Sequence, residues 1–208
     1  MIYAIGDIHG CVESLNNLMD RLPLRTGDKL IFLGDYVDRG PDSKAVVDRL
    51  MILSQTYDCV FLRGNHEWMM LNYVLGGKDF ELWMMNGAGA TIRSYKDVRK
   101  IPLEHLEFFK NTVYYHIEGE YFFVHAGVRP NIPLERQDTF DLLWIREEFI
   151  YSENPLKGYK VIFGHTPFND VLVLHDKIGI DTGCVYGGKL TAFRIDDGKI
   201  FQTNCGGD

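Results

Sequence analysis

The stretch FLGDYVDRGPDS, residues 32–43, decides how this chain is read. The run Leu30-Ile31-Phe32-Leu33 ahead of its charges has the composition of a buried strand. It ends at Gly34, and Asp35, Asp38 and Arg39 follow at once. Two carboxylates and a guanidinium where a core strand emerges call for a binding partner, because charge taken out of water must be compensated.

The same arrangement recurs along the chain. Ile2–Ile5 runs into Gly6-Asp7-Ile8-His9-Gly10, and Tyr57–Leu62 runs into Arg63-Gly64-Asn65-His66-Glu67. Later, Tyr121–His125 leads to Ala126-Gly127, and Val161–Phe163 leads to Gly164-His165-Thr166-Pro167. Between the first strands, Leu15, Leu18, Met19 and Leu22 recur at helical spacing, and a helix is expected near Ser43–Leu53. Strand-helix alternation implies parallel pairing with helices packed on the sheet. Residues 66–110 read as mostly helical, with Trp68, Met69, Met70 and Trp83 as packing residues.

The second half turns to strands. Val113–Ile117, Val171–Leu174, Ile178–Ile180, Leu190–Ile195 and Lys199–Thr203 join those already named, with hairpin signals at Gly119 and Asp197-Gly198. The expected fold is α/β, a four-layer αββα sandwich of two mixed β-sheets flanked by helices. No repeat, low-complexity tract or linker interrupts it, so one domain over residues 1–208 is expected.

Ligands gather at the carboxyl ends of strands in such sheets, and glycines there let the backbone approach closely. Asp7, His9, Asp35, Asn65, His125 and His165 should therefore converge. Their mixture of oxygen and imidazole donors suits Mn²⁺, Fe or Zn²⁺ better than Ca²⁺. Six donors exceed the needs of one ion with an open position and suit two ions sharing a carboxylate.

Composition narrows the partners. Hydrophobic residues make up 46% and charged residues 25%, which fits a folded globular chain. A net charge of −7 argues against a surface for long nucleic acids. The cluster Arg93, Lys96, Arg99 and Lys100 reads as a solvated helix face. Cys11, Cys59, Cys184 and Cys205 are widely spaced without a CxxC pair, which suits reduced thiols rather than a disulfide framework. Strand-like residues follow Met1 directly, and no apolar run is long enough for a membrane span. The expectation is a cytoplasmic monomer bound to neither membrane nor nucleic acid.

The blocks GDIHG, GDYVDRG and LRGNHE resemble the signature of the phosphoprotein phosphatase family of binuclear metallophosphoesterases. FVHAG, LLWIR and FGHTP resemble its compact bacterial and bacteriophage lambda-type branch. That resemblance implies one metal held by Asp7, His9 and Asp35, and another held by Asp35, Asn65, His125 and His165. Both ions are expected to be divalent, Mn²⁺ first. It further implies His66 as general acid, steered by Asp38, with Arg39, Arg146 and Asn65 on the substrate phosphate. A hydroxide between two metals about 4 Å apart would attack phosphorus in line. Asp38 is expected to raise the pKa of His66 and fix its tautomer.

The resemblance implies a phosphorylated protein or peptide as substrate: phosphoserine and phosphothreonine first, phosphotyrosine second. The segment DTGCVYGGKL also resembles the symmetrical diadenosine tetraphosphate hydrolases, the runner-up reading, and Tyr186 within it is expected to line the substrate groove. Asp38 within GDYVDRG argues for the phosphoprotein reading, because the hydrolase branch usually departs from the pattern at that position. His105, His116 and His175 fall outside every block and read as structural or surface residues.

Overall fold

A computed structural model describes residues 1–206 and shows two five-stranded mixed sheets. The first contains β1 (Ile2–Ile5), β2 (Lys29–Phe32), β3 (Asp58–Phe61), β9 (Lys189–Arg194) and β10 (Lys199–Asn204), in the order β10-β9-β1-β2-β3. The second contains β4 (Tyr115–Glu118), β5 (Tyr121–Val124), β6 (Lys160–Phe163), β7 (Leu172–Val173) and β8 (Lys177–Gly179), in the order β4-β5-β6-β8-β7. The strand expectations hold to within one or two residues at most ends.

Side-chain alternation explains why the sheets stack. In β1 and β2, Tyr3, Ile5, Leu30 and Phe32 point to the helical side. Ala4 and Ile31 point the other way, where they meet Phe123, Ile162 and Ile178 of the second sheet. Phe122, Val124, Val161 and Phe163 face outward against α7 (Thr139–Trp144) and α8 (Glu147–Ile150). Covering the first sheet are α1 (Val12–Arg21), α2 (Ser43–Leu53), α3 (Asn65–Gly76), α4 (Phe80–Met85), α5 (Ala88–Tyr95) and α6 (Leu103–Lys110). Trp83 and Phe109 are fully buried in that layer. The result is the expected four-layer arrangement.

Register aligns the strand ends. β1, β2 and β3 run parallel, with Ile5 opposite Phe32 and Phe32 opposite Phe61. β5 and β6 are also parallel, pairing Phe123 with Ile162. The segments after Ile5, Phe32, Phe61, Val124 and Phe163 therefore leave both sheets at one edge.

The cysteine expectation is corrected. Cys184 and Cys205 are joined by a disulfide, and only Cys11 and Cys59 are free among the described residues. Their 21-residue separation hides the pairing in the sequence. The β9–β10 hairpin creates it, because Asn204 pairs with Lys189 and Cys205 N donates to Gly188 O. Among the described residues, no helix is long and apolar enough to cross a membrane.

Candidate metal centre

Asp35 occupies the middle of the convergent edge and is 2% exposed. Its Oδ2 lies 3.3 Å from His9 Nε2 and 3.8 Å from His66 Nε2, and its Oδ1 lies 3.4 Å from His125 Nε2. Two sets of ligand atoms close enough for a metal share this carboxylate: His9, Asp35 and His66, and Asp35, His125 and His165. Asp35 is thus common to both candidate sites, the position that the family resemblance gives to a shared ligand.

The backbone bends sharply to bring these groups together. His9, Asp35, Asp38, Arg39 and His165 all have left-handed φ, from 47° to 70°. Such conformations cost non-glycine residues energy and persist where the surroundings over-determine them. Gly34 makes the approach feasible: at φ +103°, an added Cβ would sit 2.6 Å from Gly64 N. Gly164 does the same for Asp7, whose Oδ1 would meet a Cβ at 2.1 Å.

Glu67 holds the turn in place. Fully buried, it accepts N–H bonds from Asp35, Tyr36 and Gly64 at 2.8–2.9 Å. Burial pushes its carboxyl up to about 7, and the charge of Asp35 adds to this, while those amides pull it down. Glu67 lies within the LRGNHE block, but nothing in the sequence marks it as the clamp between two strand ends.

Hydrogen bonding prepares the histidines as ligands. His9 Nδ1 donates to Val37 O at 2.8 Å, and His125 Nδ1 donates to Leu33 O at 2.8 Å. Each bond fixes the tautomer and leaves Nε2 as a lone pair aimed into the site. His125 Nε2 then faces Asn65 Oδ1 at 2.9 Å, with burial holding its pKa below the ordinary imidazole value despite the charge of Asp35. Two lone pairs at that distance repel, and a cation between them resolves the conflict. Asp7 Oδ1 and His165 Nε2 are also buried without hydrogen-bond partners. The residues therefore fit divalent metal in both positions.

Electrostatics point the same way. Burial works against ionisation of Asp35, but His125, His66 and His9 overcome it and hold the carboxyl well below its usual range. Asp7 is raised well above its usual range by burial, then by Asp181 and Asp35. Asp181, itself 7% exposed and raised by burial, is a nearby carboxylate missed in the sequence. Excess negative charge of this kind in a buried pocket is relieved by cations.

His66 and Asp38 form the expected pair. His66 Nδ1 donates to Asp38 Oδ2 at 2.7 Å, and both residues are fully buried. His66 Nε2 points into the site with no hydrogen-bond partner. Trp83 Nε1 also donates to Asp38 Oδ2, at 2.8 Å, and Thr91 Oγ1 donates to Asp38 Oδ1 at 2.5 Å. Neither residue was identified in the sequence, where Trp83 reads as packing alone. Burial holds the His66 pKa below its ordinary value, outweighing Asp35 and Asp38, both of which act to raise it, Asp38 as expected.

Arg39 is half-buried, with Nη1 donating to His9 Nε2 at 3.0 Å and its guanidinium 5.7 Å from the Tyr186 ring centre. Arg146 is exposed at the start of α8, near enough for its charge to depress the His165 pKa, after burial and His125. It does not pair with the acidic residues beside it; Glu148 binds Arg129 instead, at 2.9 Å. His105, by contrast, is occupied by Tyr95 and Asp48 at 2.8 and 3.0 Å, consistent with a structural role.

Known proteins place the arrangement. The calcineurin-like phosphoesterase family profile matches residues 1–188. A bis(5'-nucleosyl)-tetraphosphatase PrpE, asymmetrical, from Anoxybacillus flavithermus is 30% identical, over 95% of this chain and 91% of its own. A symmetrical bis(5'-nucleosyl)-tetraphosphatase from Dechloromonas aromatica is 28% identical, over 98% and 95%. A crystal structure of a candidate diadenosine tetraphosphatase superposes with a TM-score of 0.79 at 24% identity, covering 100% and 94%, a likeness of fold. The chain belongs to the calcineurin-like phosphoesterases and is a metal-dependent phosphoester hydrolase.

Proposed function

We propose that the chain hydrolyses dinucleoside polyphosphates, with diadenosine tetraphosphate as the representative substrate. The observation that carries this reading is full-length similarity to relatives named for that activity. It favours the runner-up over the phosphoprotein reading, and the Asp38 argument gives way to it. A buried Asp-His pair serves either leaving group, so Asp38 is a weak discriminator of substrate.

Asp7, His9, Asp35, Asn65, His125 and His165 would hold two divalent ions, with Asp35 shared. Bound there, the ions supply charge neutralisation at the phosphoryl group and a water of lowered pKa. Arg39 and Arg146 orient the reacting phosphate, each by paired N–H bonds to its oxygens. Asn65 stands at the same edge to fix the phosphate position. His66 delivers a proton from Nε2 to the departing oxygen, while Asp38 holds Nδ1–H and stabilises the doubly protonated ring. Trp83 and Thr91 keep Asp38 in place. Cleavage of a phosphoanhydride expels a phosphate oxygen, a far better leaving group than a serine alkoxide, so the burden on His66 is lighter.

The test is a side-by-side comparison of kcat/KM with Mn²⁺ for diadenosine tetraphosphate and for phosphoserine, phosphothreonine and phosphotyrosine peptides. Diadenosine tetraphosphate should exceed every peptide by at least about tenfold, roughly 1.4 kcal/mol of transition-state discrimination. A peptide equal to it or better overturns the reading. Product identity then separates the two cleavage modes: two nucleoside diphosphates from central attack, or a triphosphate and a monophosphate from off-centre attack.

A further inference from the structure

A groove of about 840 Å³ opens beside Arg39, away from the metal ligands. Arg21, Arg39 and Arg93 line it, and among the described residues the carboxylates of its lining are Glu13 and Asp42. Asp42 is already engaged, accepting from Ala45 N at 3.1 Å and Ser94 Oγ at 2.6 Å. Among the described residues the arginines that pair with carboxylates are Arg99, Arg129 and Arg194, all outside this groove. In a chain of net charge −7, three guanidiniums along one groove with no acidic partner among the described residues are a local reversal of charge.

The groove is continuous with the reaction centre through Arg39, which touches His9. The first turn of α1 lies along it, and the helix N-cap, Cys11, offers no side-chain hydrogen bond. The N–H groups of that turn reinforce the positive field. Tyr186, outside the groove's lining, presents its ring to the guanidinium of Arg39 at 5.7 Å. Within the groove Arg21 donates to Gln202 O at 3.2 Å, whereas Arg93 is exposed and makes no side-chain hydrogen bond among the described residues.

The geometry points to this groove as the subsite for the phosphate chain beyond the cleaved phosphate, with Arg93 as its specificity-determining residue. This deepens the polyphosphate reading and rests on it. A monophosphate ester ends at Arg39 and leaves Arg93 without a partner. A substrate with several linked phosphates extends along the groove and reaches it. The basic cluster that reads as a solvated helix face is thereby divided: Arg99 closes on Asp97, while Arg93 faces the groove.

The experiment is calorimetric titration of the Mn²⁺-loaded protein at fixed free Mn²⁺, with orthophosphate and with imidotriphosphate, whose nitrogen bridges resist hydrolysis. Wild type, Arg93→Ala and Arg93→Lys are compared. Arg93→Ala should weaken imidotriphosphate about tenfold, the loss of one charge-assisted contact, and leave orthophosphate within about twofold. Arg93→Lys should recover part of the loss. If both anions weaken together, or neither does, the subsite assignment is wrong. Binding is read without turnover, so the outcome stands even if diadenosine tetraphosphate is not cleaved, a failure that the substrate comparison alone would reveal.

Discussion

The floor of the site and its rim are built on opposite principles. On the floor, Asp35, Asp38, His66 and His125 are at most 2% exposed, and nearly every polar atom is tied to backbone or to another side chain. At the rim, Arg93, Arg146 and Tyr186 are exposed and make few contacts. Chemistry that depends on sub-ångström placement sits where packing over-determines it. Recognition of the proposed phosphate chain would fall where side chains can adapt. A substitution on the floor should therefore act on turnover, and one at the rim on affinity or stability.

Trp83→Phe breaks the floor with little disturbance, removing one N–H bond to Asp38 while keeping an aromatic ring in most of the buried space. It should lower kcat about tenfold, in line with loss of a supporting partner to a catalytic group, with KM and metal content almost unchanged. The loss should be smaller for a substrate with a good leaving group. An equal rise in KM would place Trp83 in substrate binding instead.

The smallest effect on chemistry is expected at the rim from Cys205→Ser. Opening the Cys184–Cys205 link frees a 21-residue loop, which corresponds to about 3 kcal/mol of stability in the chain-entropy view. Thermal unfolding should shift down by roughly 6–12 °C, while bound metal and kcat stay within about twofold of wild type. Loss of metal on breaking this link would show that floor and rim are coupled.

This division also explains what could be read in advance. The blocks after Ile5, Phe32, Phe61, Val124 and Phe163 were legible because each couples an apolar strand to glycine and ligand-type residues in a few consecutive letters. Parallel register then brings them together without further information. Trp83 and Thr91 were not legible, since they reach Asp38 from helices 45 and 53 residues away. The left-handed backbone at His9, Asp35, Asp38, Arg39 and His165 leaves no compositional mark, because none is glycine. The disulfide was missed because a hairpin, rather than local spacing, brings its halves together. Asp38, a floor residue, says little about the substrate, and in the proposed reading discrimination between substrates would fall to the rim.

The sharpest question concerns His66, because its Nε2 lies close enough to His9 and Asp35 to serve as a third ligand. The proposed assignment keeps it out of the metal shell, with Asp7 taking that place. Metal content of purified His66→Asn and Asp35→Asn, measured after loading with Mn²⁺ and removal of free ion, distinguishes the two. His66→Asn should retain both ions while its activity falls on the order of 10²–10⁴, and Asp35→Asn should lose both. Loss of either ion from His66→Asn would contradict the division between ligands and acid on which the mechanism stands.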